Sequence, residues 1–191
     1  MTAIVVLAAG ESRRLGRPKQ MEMLGAETLL GRAVRVANEA GLGPVYVVVR
    51  PGDEAVMAAA RRLRCEVVLN GEASEGMASS IRAGVRAAGD TAEGVLVMTC
   101  DQPAVTAEHL RLLGVGAGGD VMASVYSERR GVPAWFPRRV FAELMGLRGD
   151  AGARDLLRGS RGIALAHGET DVDTEAELER ARALFGPEAD P

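Results

Sequence analysis

Residues 3–19 read Ala-Ile-Val-Val-Leu-Ala-Ala-Gly-Glu-Ser-Arg-Arg-Leu-Gly-Arg-Pro-Lys, and this stretch indicates the fold more strongly than any other. The apolar run at residues 3–7 predicts a strand that is buried on both faces. Ala8, Ala9 and Gly10 follow, and such small residues let the main chain approach a ligand closely. Successive N–H groups in a tight turn bind anions, and arginine and lysine add full charges for phosphate oxygens. The segment therefore predicts a polyphosphate-binding loop at a strand end, and its four cations are Arg13, Arg14, Arg17 and Lys19.

A solvated basic loop is the alternative interpretation, with Gly16 and Pro18 simply shaping a turn. The P-loop pattern G-x-x-x-x-G-K-[ST] does not occur in the sequence. The loop also lacks the glycine spacing of a dinucleotide-binding fingerprint. Any phosphate site here is therefore of a different kind.

Apolar runs alternate with helical patterns along the first two thirds of the chain. Continuous apolar character is typical of strands in a parallel sheet, and strand–helix alternation predicts right-handed crossovers. We expect an α/β protein, a three-layer α/β/α sandwich with a mostly parallel sheet. The predicted strands are 3–7, 44–49, 65–69, 94–99 and 120–125, and the predicted helices are 26–40, 52–63, 76–88 and 106–115.

The pattern changes after residue 120. Val121–Tyr126 and Gly131–Phe136 predict a hairpin-like excursion. Two short helices at 138–147 and 151–158, a strand at 163–166 and a charged helix ending near 185 follow. We expect one domain over 1–185 and a frayed tail over 186–191.

Composition limits the classes of function. The chain has 191 residues, 47% of them hydrophobic, with a net charge of −3. Disorder is not expected, and no global field favours nucleic acid or an anionic membrane. No apolar run approaches the roughly 20 residues of a membrane helix, and no signal peptide is visible. Cys65 and Cys100 lie in or beside apolar strands, which fits a reducing, cytoplasmic setting.

A candidate metal ligand follows the fourth strand. Asp101 begins an Asp-Gln-Pro turn at the edge of the sheet where ligands of α/β proteins bind. A carboxylate facing a polyphosphate is repulsive unless a divalent cation lies between them, and Mg²⁺ takes carboxylate, phosphate and water oxygens. The alternative is that Asp101 only caps a turn.

Two further segments carry polar residues, one after a predicted strand and one at a predicted helix start. Asn70 follows the third strand and could bind a base or ribose through its amide, or could be a turn residue. Arg154 lies in the first turn of a predicted helix, where a cation opposes the macrodipole and favours an anionic partner. The alternative for Arg154 is a surface pair with Asp150, worth only a few tenths of a kcal/mol.

These segments together resemble the molybdenum cofactor nucleotidylyltransferase-like family, of GT-A-like (Rossmann-like) fold. The resemblance covers nearly the whole chain and is strongest to the cytidylyltransferase branch. The Ala9 position favours that branch, since guanine-using relatives have Leu-Ala-Gly-Gly. The residues that carry the resemblance are Leu7-Ala8-Ala9-Gly10-x-Ser12-x-Arg14-x-Gly16-x-Pro18-Lys19, Asn70 to Ser80, Cys100-Asp101-Gln102-Pro103, Gly149–Arg154 and Asp171–Thr174.

The resemblance implies transfer of a nucleotide from CTP to a phosphorylated acceptor such as molybdopterin, with release of pyrophosphate. It implies a bound Mg²⁺ or Mn²⁺, held by Asp101 and by Asp171 or Asp173. It also implies that Arg14 and Lys19 neutralise the triphosphate. The residues expected to line the nucleotide are Leu7, Ala8, Ala9, Gly10, Asn70 and Ser80, and those expected on the acceptor side are Arg154 and Val132.

One departure from the family concerns the acceptor side. The family often has Gly-His-Pro where this chain has Gly131-Val132-Pro133. A sugar phosphate or another acceptor is therefore an alternative, as is a protein that binds and delivers a nucleotide or molybdenum cofactor without turnover. Expected partners are small molecules and a molybdoenzyme or its maturation chaperone, with no nucleic acid and no membrane.

Overall fold

The computed structural model describes residues 1–89, 91–115, 118–150 and 152–186. Strands and helices alternate over most of this range. The strands are β1 (Thr2–Leu7), β2 (Met23–Leu24), β3 (Glu27–Thr28), β4 (Val45–Val49), β5 (Glu66–Leu69), β6 (Gly94–Thr99), β7 (Met122–Tyr126), β8 (Arg129–Pro137) and β9 (Arg161–Ala164). The α-helices are α1 (Leu29–Ala40), α2 (Glu54–Ala60), α3 (Met77–Ala88), α4 (Ala107–Val115), α5 (Phe141–Gly146), α6 (Arg154–Leu157) and α7 (Glu175–Phe185), and short 3-10 helices cover Lys19–Met21, Ala73–Glu75 and Arg138–Val140.

Seven strands form the central sheet in the order β5-β4-β1-β6-β8-β7-β9. The pairs β5–β4, β4–β1, β1–β6 and β7–β9 are parallel, whereas β8 is antiparallel to both β6 and β7. The mostly parallel sheet is confirmed. The carboxyl ends of β1, β4, β5 and β6 therefore meet at one edge, together with the turn between β7 and β8.

Helices cover both faces of the sheet, which confirms the three-layer sandwich. Successive residues of β1 point to opposite faces, as a pleated strand requires. Ile4 and Val6 pack with residues of α1, α2 and α4, whereas Val5 packs with residues of α3, α5 and α6. A third apolar cluster joins α7 to β2 and the start of α1.

Strand β8 pairs with its two neighbours over different lengths. Its pairing with β6 covers only residues 134–137, whereas its pairing with β7 continues outward to Arg129. Pro133 has no N–H to donate, so the ladder with β6 ends there. The outer part of the β7–β8 hairpin therefore extends beyond β6 at the edge where Asp101 lies.

Several predicted boundaries were wrong. The pattern at 26–40 gives a helix only from Leu29, since Met23–Thr28 forms a two-stranded hairpin and the Thr28 hydroxyl caps α1 by accepting the Gly31 N–H. Helix α2 is shorter than the predicted 52–63, and β9 lies two residues before the predicted 163–166.

The two last predicted helices differ in how well they match the structure. The predicted helix at 151–158 begins at Ala151, which lies outside the described residues, and α6 itself covers four residues. The final helix is confirmed, and a Thr174–Glu177 capping box fixes its start. Beyond Gly186, the predicted frayed tail also lies outside the described residues. No helix in the described part of the chain is long and apolar enough to cross a membrane.

Candidate active site

The segment after β1 keeps its backbone close to the sheet. The Ala8 N–H donates to the Val48 carbonyl of β4 at 2.9 Å, and both Ala8 and Ala9 are buried. Gly10 is exposed, and a Cβ added there would meet no atom within 4 Å. The main chain at Gly10 is therefore open to a ligand, as the sequence predicts for this loop.

Gln20 holds this loop in place. Its side-chain Nε2 donates to the carbonyls of Ala8 at 2.8 Å and Gly10 at 3.0 Å, and the residue is 1% exposed. The Ser12 hydroxyl accepts the Lys19 N–H at 3.0 Å from the other side. Sequence reasoning gave Gln20 no role, and its position directly after Lys19 is the one signal that could have found it.

Lys19 lies between two of the predicted metal ligands. Its Nζ donates to a carboxylate oxygen of Asp101 and, at 2.6 Å, to Oδ1 of Asp173. Arg14 pairs with the other oxygen of Asp173 at 3.1 Å. The structure thus brings together the cations and carboxylates that the sequence assigned to the triphosphate and the metal.

The charges of this group perturb one another. Burial alone would lower the pKa of Lys19, but attraction to Asp101 and hydrogen bonds to Asp101 and Asp173 outweigh it and raise that pKa. Burial, followed by repulsion from Asp101, raises the pKa of Asp171 to about 7. Asp171 therefore carries a proton in part of the molecules near neutral pH.

The other two loop cations lie elsewhere. Arg17 pairs with Glu22 and with Glu175 at the start of α7. Arg13 pairs with Glu11 and is largely exposed. Arg17 thus attaches the loop to α7, and Arg13 pairs within the loop, so Arg14 and Lys19 are the loop cations directed toward Asp101 and Asp173.

Asn70 is a buried residue of the turn after β5. Its amide donates to the hydroxyls of Ser79 at 2.8 Å and Ser80 at 3.0 Å, and its carbonyl accepts the Glu72 N–H. This matches the turn interpretation of Asn70. That Asn70 and Ser80 contact a base or ribose stays a prediction.

A cavity of about 730 Å³ opens beside Asp101. One end is lined by Lys19 and by the three aspartates 101, 171 and 173, and the other by the β7–β8 hairpin and α6. Val132 and Arg154 both line it, so the two residues predicted on the acceptor side face the predicted metal ligands. A second cavity, of about 450 Å³, lies on the outer side of the loop and includes Gly10 and Arg50.

Gln102 and Tyr126 connect the two ends of the larger cavity. Gln102 donates to the Tyr126 hydroxyl at 3.3 Å and to the Gly168 carbonyl at 3.2 Å, while the Tyr126 hydroxyl donates to the Val132 carbonyl at 3.2 Å. The turn that carries Asp101 is thereby tied to the hairpin. The sequence placed Gln102 beside Asp101 but gave neither Gln102 nor Tyr126 a role.

The carboxylates of Asp101 and Asp173 are oxygen donors, which hard divalent cations prefer. No group of three or more His, Cys, Asp or Glu side chains that could hold a metal occurs among the described residues, so other oxygen ligands would have to complete the coordination shell. Asp101 and Asp173 converge on one ammonium group, and two carboxylates are what Mg²⁺ uses when phosphate and water oxygens complete its shell.

The family follows from a comparison with known proteins. The model of the MobA-like NTP transferase domain matches residues 4–169. The chain belongs to this family. The activity class of the family is nucleotidyl transfer, which agrees with what the resemblance of the combined segments implies.

Named relatives show several specialisations. The chain is 29% identical over 193 residues to purine catabolism protein PucB of Bacillus subtilis, which covers 93% of this chain and 94% of PucB. It is 38% identical over 102 residues to "Probable molybdenum cofactor guanylyltransferase" of Opitutus terrae, which covers 53% of this chain and 48% of that protein. A crystal structure of Rv0371c from Mycobacterium tuberculosis in complex with manganese is 31% identical, with a TM-score of 0.81 and coverage of 96% of this chain and 98% of that one.

Proposed function

We propose that this protein transfers CMP from CTP to the phosphate of a small acceptor such as molybdopterin, and that a divalent cation assists. One observation carries the proposal: the Lys19 ammonium contacts both Asp101 and Asp173 at the end of an open, glycine-containing loop. A cation suited to phosphate thus lies within hydrogen-bond distance of two carboxylates of the kind that bind metal ions. Nucleotidyl transfer from a metal-bound triphosphate needs both kinds of group in one place.

The chemical step forms one bond and breaks one. An acceptor phosphate oxygen attacks the α-phosphorus of the nucleotide in line, and the bond from that phosphorus to the bridging oxygen of the β-phosphate breaks. The electron pair leaves with pyrophosphate. An acceptor phosphate is largely ionised at neutral pH, so no general base is needed.

The roles of the protein's own residues are positioning and neutralisation of charge. Lys19 and Arg14 stabilise the charge that builds on the leaving pyrophosphate, and Gln20 keeps the loop carbonyls turned away from it. Arg154 attracts the acceptor. Asp101 and Asp173 would hold the cation, which supplies Lewis-acid stabilisation when bound.

Cytidine is proposed from the sequence of the loop. Ala9 fits the Leu-Ala-Ala-Gly form of the cytidine-using branch, whereas one named relative is a guanylyltransferase. The manganese complex of Rv0371c supports the use of a divalent cation by the fold and leaves Mg²⁺ or Mn²⁺ as the proposed metal here. Delivery of the product to a molybdoenzyme or its chaperone in the cytoplasm is part of the same proposal.

The test is pyrophosphate release with four nucleoside triphosphates against a panel of phosphomonoesters, including molybdopterin and a sugar phosphate, with Mg²⁺ or Mn²⁺. We expect turnover with CTP and loss of turnover in Asp101→Ala. Asp120→Ala is the matched control, because Asp120 pairs with Arg139 on the surface, away from this site.

Two outcomes would replace the proposal. Preference for GTP would overturn the assignment of cytidine. Tight CTP binding without pyrophosphate release from any pair would favour the alternative of a binding and delivery protein, which Val132 in place of the family's histidine suggests.

A further inference from the structure

The far end of the larger cavity is strongly basic. Four arginines line it there, two on the β7–β8 hairpin and two in or just after α6. Asp150 also lines the cavity, and Asp155 pairs with one of the four arginines. These arginines are Arg129, Arg130, Arg154 and Arg158.

Their hydrogen bonds divide the four into two pairs. Arg130 donates to the Ser160 carbonyl at 2.7 Å, and Arg158 pairs with Asp155 at 3.3 Å. The side chains of Arg129 and Arg154 make no hydrogen bond or ion pair with any residue that the structure describes. Lys19, at the opposite end, is already paired with Asp101 and Asp173. The two arginines of this cavity whose side chains have no such partner among the described residues therefore lie on the side proposed for the acceptor.

Three features hold the backbone around Arg129 in place: a tight turn, pairing with β7 and a hydrogen bond of the next residue. Ser127 and Glu128 have positive φ values of 46° and 60°, which is the geometry of a tight two-residue hairpin turn. Arg129 is paired directly across from Tyr126, so their side chains share one face of the sheet. Tyr126 is itself bound to Gln102, the residue after Asp101. The hydrogen bond of Arg130 to Ser160 secures the hairpin to the segment after α6.

We propose that Arg129 and Arg154 together form an anion clamp that binds the phosphate of the acceptor and so selects phosphomonoesters over neutral alcohols. This inference rests on the proposed function and adds Arg129, which the sequence did not single out. Two guanidinium groups from separate elements can each offer paired N–H donors to one phosphate. The volume of about 730 Å³ leaves room for an acceptor much larger than the phosphate itself.

The probe is inorganic phosphate, measured by calorimetry on the full-length protein saturated with Mg²⁺ and α,β-methylene-CTP. We expect phosphate to bind and its Kd to rise about tenfold or more in Arg129→Met and in Arg154→Met, as for loss of charged hydrogen bonds. Arg129→Lys should restore part of the affinity, because it keeps the charge but not the paired donors. Arg161→Met is the control, since this exposed arginine of β9 does not line the cavity.

Two further measurements show whether the arginines act on the acceptor phosphate alone. The Kd of the CTP analogue should stay unchanged in every variant, and a comparable loss in Arg129→Met would instead assign the arginine to the nucleotide. Because both side chains are exposed, their removal should leave Tm within the range of the control. Unchanged phosphate affinity in Arg129→Met would overturn the proposal.

Steady-state kinetics distinguish failure of the clamp from failure of the proposed function. With a phosphomonoester acceptor, Arg129→Met should raise the KM of the acceptor and leave the KM of CTP alone. If turnover occurs but the acceptor KM does not change, the clamp is refuted and the nucleotidyltransferase stands. If no pair gives turnover but phosphate binding still depends on both arginines, the clamp stands and the proposed reaction does not.

Discussion

Lys19→Met should strengthen the binding of Mn²⁺ to the protein without nucleotide, although it removes a residue of the candidate active site. Methionine is similar in length to lysine and carries no charge. In the free protein the ammonium group occupies the space between Asp101 and Asp173 where a metal would bind. A metal must therefore displace Lys19 before both carboxylates can reach it.

The size of the effect follows from the distances. Nζ lies 2.6 Å or less from one oxygen of each aspartate, so those oxygens are at most about 5 Å apart. Two unit charges at that separation repel by about 3 kcal/mol at an effective dielectric constant of about 20. The Asp173 side chain is 38% exposed, which weakens this repulsion through solvent screening. In Lys19→Met the ammonium group no longer offsets this repulsion, and a bound Mn²⁺ would offset it instead. We therefore expect the Kd of Mn²⁺ to fall about tenfold.

Free Mn²⁺ can be followed by electron paramagnetic resonance during titration without nucleotide. Arg14→Met should give a smaller gain, because Arg14 contacts Asp173 alone and is mostly exposed. The affinity for CTP in the presence of the metal should fall in Lys19→Met, since the proposed contact of Lys19 with the triphosphate is lost. Opposite signs for Mn²⁺ and CTP exclude general damage to the fold, and weaker or unchanged Mn²⁺ binding would refute the reasoning.

Two other predictions concern buried polar groups. Gln20→Met should raise the Kd of CTP about tenfold with a smaller change in Tm, because the Ala8 and Gly10 carbonyls lose their donor and the loop loses its fixed shape. Calorimetry with CTP measures the Kd, and a thermal melt measures Tm. Unchanged CTP affinity would show that Gln20 does not contribute to nucleotide binding. Burial lowers the pKa of His109, whose ring nitrogen meets the Ser124 hydroxyl at 2.8 Å. Its neutral form therefore stabilises the fold above about pH 6.5, and that contribution is lost as pH falls through the lowered pKa of the folded state. Urea unfolding between pH 7 and 5 should show a shallower loss of stability in His109→Gln, and parallel curves for the two proteins would contradict this.

The part of the site that the sequence predicts well lies at the ends of buried strands. The apolar runs before Ala8 and before Asp101 are long enough to identify two strands of one parallel sheet. Parallel strands end at the same edge, so the loop of Lys19 and the turn of Asp101 had to be neighbours. Spacing alone does not show which of Asp171 and Asp173 contacts Lys19, and the fold shows that Asp173 does; which of the two is a second metal ligand stays a prediction.

Other features depend on contacts between distant segments. Strands of two residues, as in Met23–Thr28, have no periodicity for a pattern to detect, so a helix was predicted too early there. The insertion of β8 between β6 and β7 is a matter of pairing and not of composition. Gln20 and Tyr126 acquire their roles from partners that only the folded chain supplies.

The early end of the β6–β8 ladder at Pro133 divides β8 into two parts that are held by different neighbours. Residues 134–137 of β8 belong to the sheet and are constrained by the core, whereas 129–132 project past β6 and are constrained mainly by β7. If the hairpin contacts the acceptor as proposed, substitutions in this overhang should change which acceptors fit the cavity while the sheet beneath them stays the same. Acceptor preference would then depend on one short hairpin, within which Val132 lies.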